Sequence, residues 1–537
     1  MFKKNSSFNH LLDSAYKALQ IKKFVDAKNL LKKAITLKND IPEIHNNLGM
    51  VYMNLNDYEQ AIKSFNNAIK LNPKFSVVFC NLGIAHNKIG NFKKSEENYK
   101  QSIFYDKKNI IAYYNLANLY QDQNDLLNAE KYYKYALDSK PNMIEAYRNL
   151  FFIYNRSNQF KKLEETLIKA KSNLGSHPII NFFQGIYDFE NKDFKSVIEN
   201  FKNLKINTRE TGIIGVKNDL LAKSYDNIGE FSKSFNCFVE ANNSIYHRYK
   251  DKYKKEDYLT LVNQRIKFYS KFDLKKWNIK FSKEKDPVFL IGFPRSGTTL
   301  LDTVLRTHSS VEVIEEKPIV EKFVDILKIK INNDFSKLEK IDQKFYNEMR
   351  NVYFEIRNKY IKFDKNKIYI DKLPLNLIHI GEIYRFFPNS KFIFVLRNPY
   401  DTVLSCFMQQ FVPNDAMMNF TTLDDTFKLY DLSMSLYKEY HKLFKLNIYE
   451  IKYEDVVGDF DRTIKNLLKF LNLEWKQELK KFYLTASKRG IISTPSYNQV
   501  NKPIYKKSIN RWKNYEDKFE FIKPKISKWL EKFDYKI

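Results

Sequence analysis

Cysteine is nearly absent from this 537-residue chain: Cys80, Cys237 and Cys406 are the three it has, and they lie far apart in sequence. That excludes a disulfide framework and the spacings of a cysteine zinc site, and it suits a reducing cytoplasm. Long apolar runs are also missing. Nowhere do about 18 apolar residues follow one another, the length that reads as a membrane span, and the opening MFKKNSSFNHLLDSAYKAL lacks the uninterrupted apolar core of a secretion signal. Acidic residues are short of balance, 63 against 91 Lys and Arg, for a net charge of +28. Such an excess would suit nucleic acid, a membrane surface or a phosphorylated cofactor. Scarce glycine and arginine with abundant Lys, Asn, Ile, Phe and Tyr, however, is the pattern of an AT-rich, bacterial genome. Charge alone therefore assigns no function, and no nucleic-acid partner is expected from it.

What is present is a period. Leu48, Leu82, Leu116 and Leu150 stand 34 residues apart, and the same step joins Phe24, Tyr58, Phe92, Leu126, Phe160 and Phe194, and again Ala34, Ala68, Ser102, Ala136 and Ala170. Within a unit, small residues (Gly49, Ala61, Ala68) alternate with large ones (Leu48, Tyr52, Tyr58, Phe65) at helical spacing, as two closely packed antiparallel helices require. Pro73 and Pro141 close units where a helix must stop. Period and order resemble the tetratricopeptide repeat. Six or seven units are expected across 10–241, the last offset by three residues, forming an all-α solenoid over 1–241 whose groove suits a protein or peptide. Residues 242–285 stay helical in pattern but leave the frame, and read as a helical linker.

From 286 to 537 the pattern becomes short apolar runs followed by helices: PVFLI (287–291), KIYID (367–371), KFIFVL (391–396) and NIYEI (447–451). That alternation predicts an α/β domain with a central parallel sheet. PVFLI runs straight into GFPRSGTTLLDTVLRTH, the strand, glycine-bearing loop and helix order of a phosphate-binding loop. Gly292 and Gly297 have the spacing of a nucleotide loop, but Thr298 stands where its Lys should be, which disfavours an ordinary ATPase or GTPase. Arg295 supplies a cation instead.

GFPRSGTT resembles the 5′-phosphosulfate loop of sulfotransferases, and EVIEE (312–316) is similar to the tyrosylprotein sulfotransferase branch. The resemblance covers about 285–515 and implies 3′-phosphoadenosine 5′-phosphosulfate (PAPS) as co-substrate, with no metal. It implies that Pro294, Arg295, Ser296, Gly297, Thr298 and Thr299 hold the 5′ end of the cofactor, and that Arg397 and Ser405 of KFIFVLRNPYDTVLS hold its 3′-phosphate. Arginine grips phosphate bidentately and serine adds one more hydrogen bond. Ser496, Lys502 and Arg511 fall on the closing segment of the cofactor site.

Sulfuryl transfer needs in-line placement, charge stabilisation and a base. By the resemblance, Glu316 is the general base, and Lys372 with Arg295 carries charge off the bridging oxygen. The bland alternative for Glu315 and Glu316 is that they start a helix running through Lys322, where acidic residues are favoured. His308 is a rival base, though its place at the end of the loop helix suits a structural role; Pro374 and Asn376 should shape the loop after Lys372. The acceptor is open: a peptide tyrosine, a glycan or a small molecule. Two competing readings are an ATP-dependent kinase and a non-catalytic repeat scaffold with a decayed nucleotide domain.

Overall fold

The 34-residue period is a helix pair in the computed structural model, which describes residues 2–205, 211–278, 281–282, 284–488, 503–504 and 507–536. The chain divides into two compact units, Met1–Lys205 and Ile206–Ile537. In the first unit, Phe24, Tyr58, Phe92, Leu126, Phe160 and Phe194 are each the first residue of the second helix of a pair. The turn before that helix recurs in step: Lys22, Asn56, Gly90, Asn124, Asn158 and Lys192 all adopt positive φ. Capping side chains follow, with Asp57, Asn91, Asp125 and Asp193 accepting from the amides of Gln60, Lys94, Asn128 and Ser196. Ala34, Ala68, Ser102, Ala136 and Ala170 are fully buried, and the first helices pack against the second so closely that a Cβ on Gly49 would lie 2.4 Å from the Phe65 ring. This is the all-helical repeat solenoid that the period predicts.

The array was expected to run to residue 241, but the first compact unit ends at Lys205. The offset pair Thr211–Asn227 and Phe231–Tyr249 keeps the repeat turn, with Gly229 at positive φ, yet it packs into the second unit. Asn242 donates to the Phe407 carbonyl at 2.8 Å, and Asp226 accepts from Arg511 at 2.8 Å and from the Tyr515 hydroxyl at 2.6 Å. Its aromatic face is covered by Phe407 and Tyr515 instead of by another repeat. The expected linker, 242–285, is largely the end of that pair plus the helix Lys255–Tyr269.

The sheet of the second unit has five parallel strands: β1 (Val288–Gly292), β2 (Val311–Glu315), β3 (Ile368–Lys372), β4 (Lys391–Leu396) and β5 (Asn447–Lys452), in the order β2-β3-β1-β4-β5. Alternate residues feed two cores. Phe289, Ile291, Phe392 and Phe394 enter one, while Val288, Leu290, Ile393 and Val395 enter the other, as a sheet covered on both faces must. β2 was not anticipated as a strand, because VEVIE is short and interrupted by Glu312, whose carboxylate meets Lys367 at its exposed edge. Among the described residues no helix is long and apolar enough to cross a membrane.

Candidate active site

Chain order makes β1 the central strand, so the loops leaving the carboxyl ends of β1, β2, β3 and β4 converge at the switch point where such sheets bind ligands. Four of the candidates lie there: Arg295 after β1, Glu316 after β2, Lys372 at the end of β3 and Arg397 after β4.

Gly297 caps the helix Thr298–Arg306 at φ 106°, and a Cβ there would fall 2.6 Å from Tyr453. Only glycine fits. At Gly292 a Cβ would meet the Val395 carbonyl at 2.7 Å and the Ser296 hydroxyl at 2.8 Å, so the loop is pressed onto the sheet. The first amides of that helix have no intrahelical acceptor and carry the positive end of its dipole. Arg295 at φ 66° and Glu316 at φ 48° are left-handed without being glycine, a conformation that costs about 1–3 kcal/mol each. Such strain persists where surrounding contacts hold it: the Glu316 amide donates to the Lys372 carbonyl at 2.7 Å, and the Arg295 carbonyl accepts from Arg397 at 3.0 Å.

The charged groups interlock. Lys372, fully buried, places Nζ 2.6 Å from Glu316 Oε1, 3.4 Å from Thr299 Oγ1 and 3.9 Å from Glu315 Oε1. Arg295 Nε donates to Ser405 Oγ at 3.2 Å, joining the loop to the second signature. Arg397 stacks over the Tyr453 ring at 5.2 Å and donates to the Ser508 carbonyl at 2.7 Å. Tyr453 and Ser508 share a hydroxyl contact of 2.7 Å. Asp401 anchors that segment by accepting from the amides of Asn510 and Trp512.

Two buried donors of the site, Ser296 Oγ and Arg397 Nε, have no partner among the described residues. Buried polar groups are normally satisfied, so an unpaired guanidinium nitrogen and hydroxyl beside a helix N-terminus fit a polyanion.

Arg511 is engaged with Asp226, and Ser496 and Lys502 lie outside the described residues. His308 is 2% exposed, its Nδ1 accepting from the Ser310 amide and its Nε2 facing the Glu474 carbonyl. Burial holds it below its ordinary pKa, and both ring nitrogens are occupied, Nδ1 within the turn and Nε2 against a distant segment. Glu315 ends β2 and the following helix starts only at Ile319, so the helix-start reading of Glu315 and Glu316 is replaced by a strand-end one. Asp371, beside Lys372, was not anticipated; burial pushes its carboxyl up to about 7, while the Tyr353 hydroxyl donates to it at 3.0 Å. A cleft of about 740 Å³ opens beside Arg295, Thr298, Thr299 and Glu316.

A parallel sheet with a glycine-bearing strand-loop-helix turn at its switch point, a buried lysine on a carboxylate and an arginine behind them is an α/β arrangement of the phosphate-loop kind. Comparison with known proteins narrows this. Residues 287–477 match the model of the Sulfotransferase family, and 42–75 and 110–143 match the tetratricopeptide repeat. The chain therefore joins tetratricopeptide repeats to a domain that matches the Sulfotransferase family model. It is 26% identical over 323 residues to an uncharacterized protein of Aquifex aeolicus, covering 58% of this chain and 41% of that one. It is 24% identical to protein-tyrosine sulfotransferase 2 of Gallus gallus (43% of this chain, 64% of the relative) and 22% identical to protein-tyrosine sulfotransferase of Drosophila melanogaster (48% and 50%). In each case the chain spans less than two thirds of the relative's own length.

Proposed function

We propose that the second unit transfers a sulfuryl group from PAPS to an acceptor hydroxyl. The observation that carries this reading is Lys372 Nζ, which touches both the loop helix, at Thr299, and the carboxylate of Glu316. One buried cation thus links the anion loop to a strand-end carboxylate that lines the cleft. When bound, PAPS supplies an activated sulfuryl group on a phosphate leaving group. The amides and hydroxyls of Ser296, Gly297, Thr298 and Thr299, with Pro294 fixing the turn, hold its 5′ end, and Arg397 with Ser405 holds the 3′-phosphate. Lys372 occupies Oε1 of Glu316, so Oε2 takes the acceptor proton as the new oxygen–sulfur bond forms. Lys372 and Arg295 then face the oxygen that leaves, where their charge counts most.

The repeats support a protein or peptide as the acceptor or as a docking partner, since solenoids of this kind present extended binding surfaces. Calorimetric titration with adenosine 3′,5′-bisphosphate tests the cofactor assignment. Binding by the protein, at least tenfold weaker in Arg397→Ala and absent for ATP, is expected. No binding of the bisphosphate, or equal binding of ATP, overturns it.

A further inference from the structure

The cleft beside Glu316 has an outer wall whose charge runs against that of the chain. Beyond the reacting centre, its charged lining consists of Glu321, Asp325, Asp415 and Lys328, a local excess of acid in a chain of net charge +28. Glu321 and Asp325 stand four residues apart on the helix Ile319–Lys330, one turn above the other, where like charges destabilise a helix. Lys328 answers only one of them, at 3.7 Å from Asp325. Asp415 reaches in from the segment after Phe407 and accepts from the Lys254 backbone amide at 2.7 Å, a neutral partner that leaves its charge standing. A concave wall with an excess of one sign focuses its field on what enters.

A second feature of the same cleft is His379, which lines it and is 9% exposed. Arg265, itself buried, donates through one guanidinium nitrogen to Glu382 Oε1 at 2.6 Å and faces His379 Nδ1 at 3.2 Å. A guanidinium can only donate, so Nδ1 must accept and the ring proton sits on Nε2. That Nε2–H has no protein partner among the described residues, and the exposed part of the ring, 11% of the side chain, opens on the cleft. The groups facing the imidazole are Arg265, Glu382 and Lys328, and burial followed by Arg265 and Lys328 opposes a second proton on it. The wall therefore offers a fixed neutral donor rather than a cation.

Resting on the sulfotransfer reading, we propose that the acceptor is a hydroxyl compound bearing an ammonium or guanidinium group, its cation held by Glu321, Asp325 and Asp415 and an oxygen near its hydroxyl held by His379 Nε2–H. The division of labour is by charge. The anion side of the site collects Arg295, Lys372 and Arg397, and the acceptor side collects carboxylates, so each substrate is repelled from the other's half.

The test is a titration of the full chain, saturated with adenosine 3′,5′-bisphosphate, with matched probes: tyramine against 4-hydroxyphenylacetate, and a lysine-flanked against a glutamate-flanked tyrosine peptide. At least tenfold tighter binding of the cationic member in either pair is expected, tyramine marking a small amine and the peptide alone marking a polypeptide. The preference should vanish in Glu321→Gln/Asp415→Asn, and His379→Phe should raise KM for the preferred probe about tenfold with kcat within twofold. Equal affinity, preference for the anion, or no binding of any probe overturns the proposal, and the unmodified protein alone is enough to show it. Bisphosphate binding is read first in the same cell. If it occurs without cation preference, only this inference fails; if it is absent, the sulfotransfer reading fails separately.

Discussion

The two units use the same scarce residue for opposite purposes. In the repeats, Gly49, Gly83 and Gly185 remove a side chain so that Phe65, Tyr99 and Phe201 can press one helix against the next. In the second unit, Gly292 and Gly297 remove one so that a loop can lie against the sheet and leave its amides free at a helix start. The first kind of glycine is repeated and supported by equivalent neighbours. The second is unique, flanked by strained Arg295 and by polar atoms left unpaired, which is how a site differs from a scaffold. Breaking each kind should therefore fail differently: the repeats in stability, the site in binding and rate.

The largest effect is expected at Glu316. Glu316→Gln keeps the shape and a hydrogen bond to Lys372 but cannot take a proton, so kcat should fall about 100- to 10,000-fold while bisphosphate affinity changes less than threefold. Turnover assays with radiolabelled PAPS beside calorimetry separate the two; retained turnover would overturn Glu316 as the base. Next comes the glycine contrast itself. Gly83→Ala drives a methyl into the Tyr99 ring, 2.5 Å away, and should destabilise the repeat unit by about 1–3 kcal/mol in urea melts, leaving bisphosphate binding intact. Gly297→Ala should do the reverse, weakening bisphosphate at least tenfold, because its left-handed φ and the Tyr453 contact both move the loop amides.

Asp371 sharpens the comparison from the side of pH. Its carboxyl is raised to about 7 by burial, against about 3.9 in an unfolded chain, so the folded state holds the proton more tightly. Between about pH 4 and pH 7 the native protein binds more protons than the unfolded one, and stability falls as pH rises through that window. Asp371→Asn should remove the slope, raising stability above pH 7 by about 2–4 kcal/mol and by little near pH 4, as read from denaturant midpoints across that range. A flat wild-type profile would mean that Asp371 stays ionised throughout.

How much of this was legible in sequence follows the same divide. Periodic packing is written in local residue choice, so the 34-residue step alone was enough to align Phe24 through Phe194, which are helix starts, and Ala34 through Ala170, which are buried contacts. Loop chemistry is also local: Gly292, Arg295 and Gly297 sit within six residues. What sequence concealed is what depends on contacts between distant segments. The offset last repeat looked like solenoid because its own pattern is intact, and only Phe407, Tyr515 and Arg511, far along the chain, show which core it joins. Arg511 was matched to the cofactor by position, and its ion pair with Asp226, 285 residues away, has no local signal. His379 and Asp371 carry no motif, and only the burial of β3 and its neighbours gives them their properties. Asn47, Asn81, Asn115 and Asn149 share the same 34-residue step and were missed: each donates to the first helix of the preceding pair, to Tyr16, Asn46, Cys80 and Asn118 in turn, and a polar position on a helix reads as solvated until that neighbour is in place.

The smallest predicted effect tests whether redundancy protects the repeats. Asp125 accepts from the Asn128 amide at 3.2 Å and from its side chain at 2.7 Å, capping the second helix of its pair. Asp125→Ala should cost about 1 kcal/mol, the ordinary worth of a cap. Because Asp57, Asn91 and Asp193 still cap the equivalent helices, and each repeat leans only on its neighbours, the loss should stay local. Hydrogen exchange can show this: faster exchange confined to Leu126–Ser139 and the helices packed on it is expected, with exchange in β1 and the loop helix unchanged. Acceleration spreading through the whole repeat unit would mean that it melts as one cooperative block, and that its caps are as indispensable as the glycines of the site.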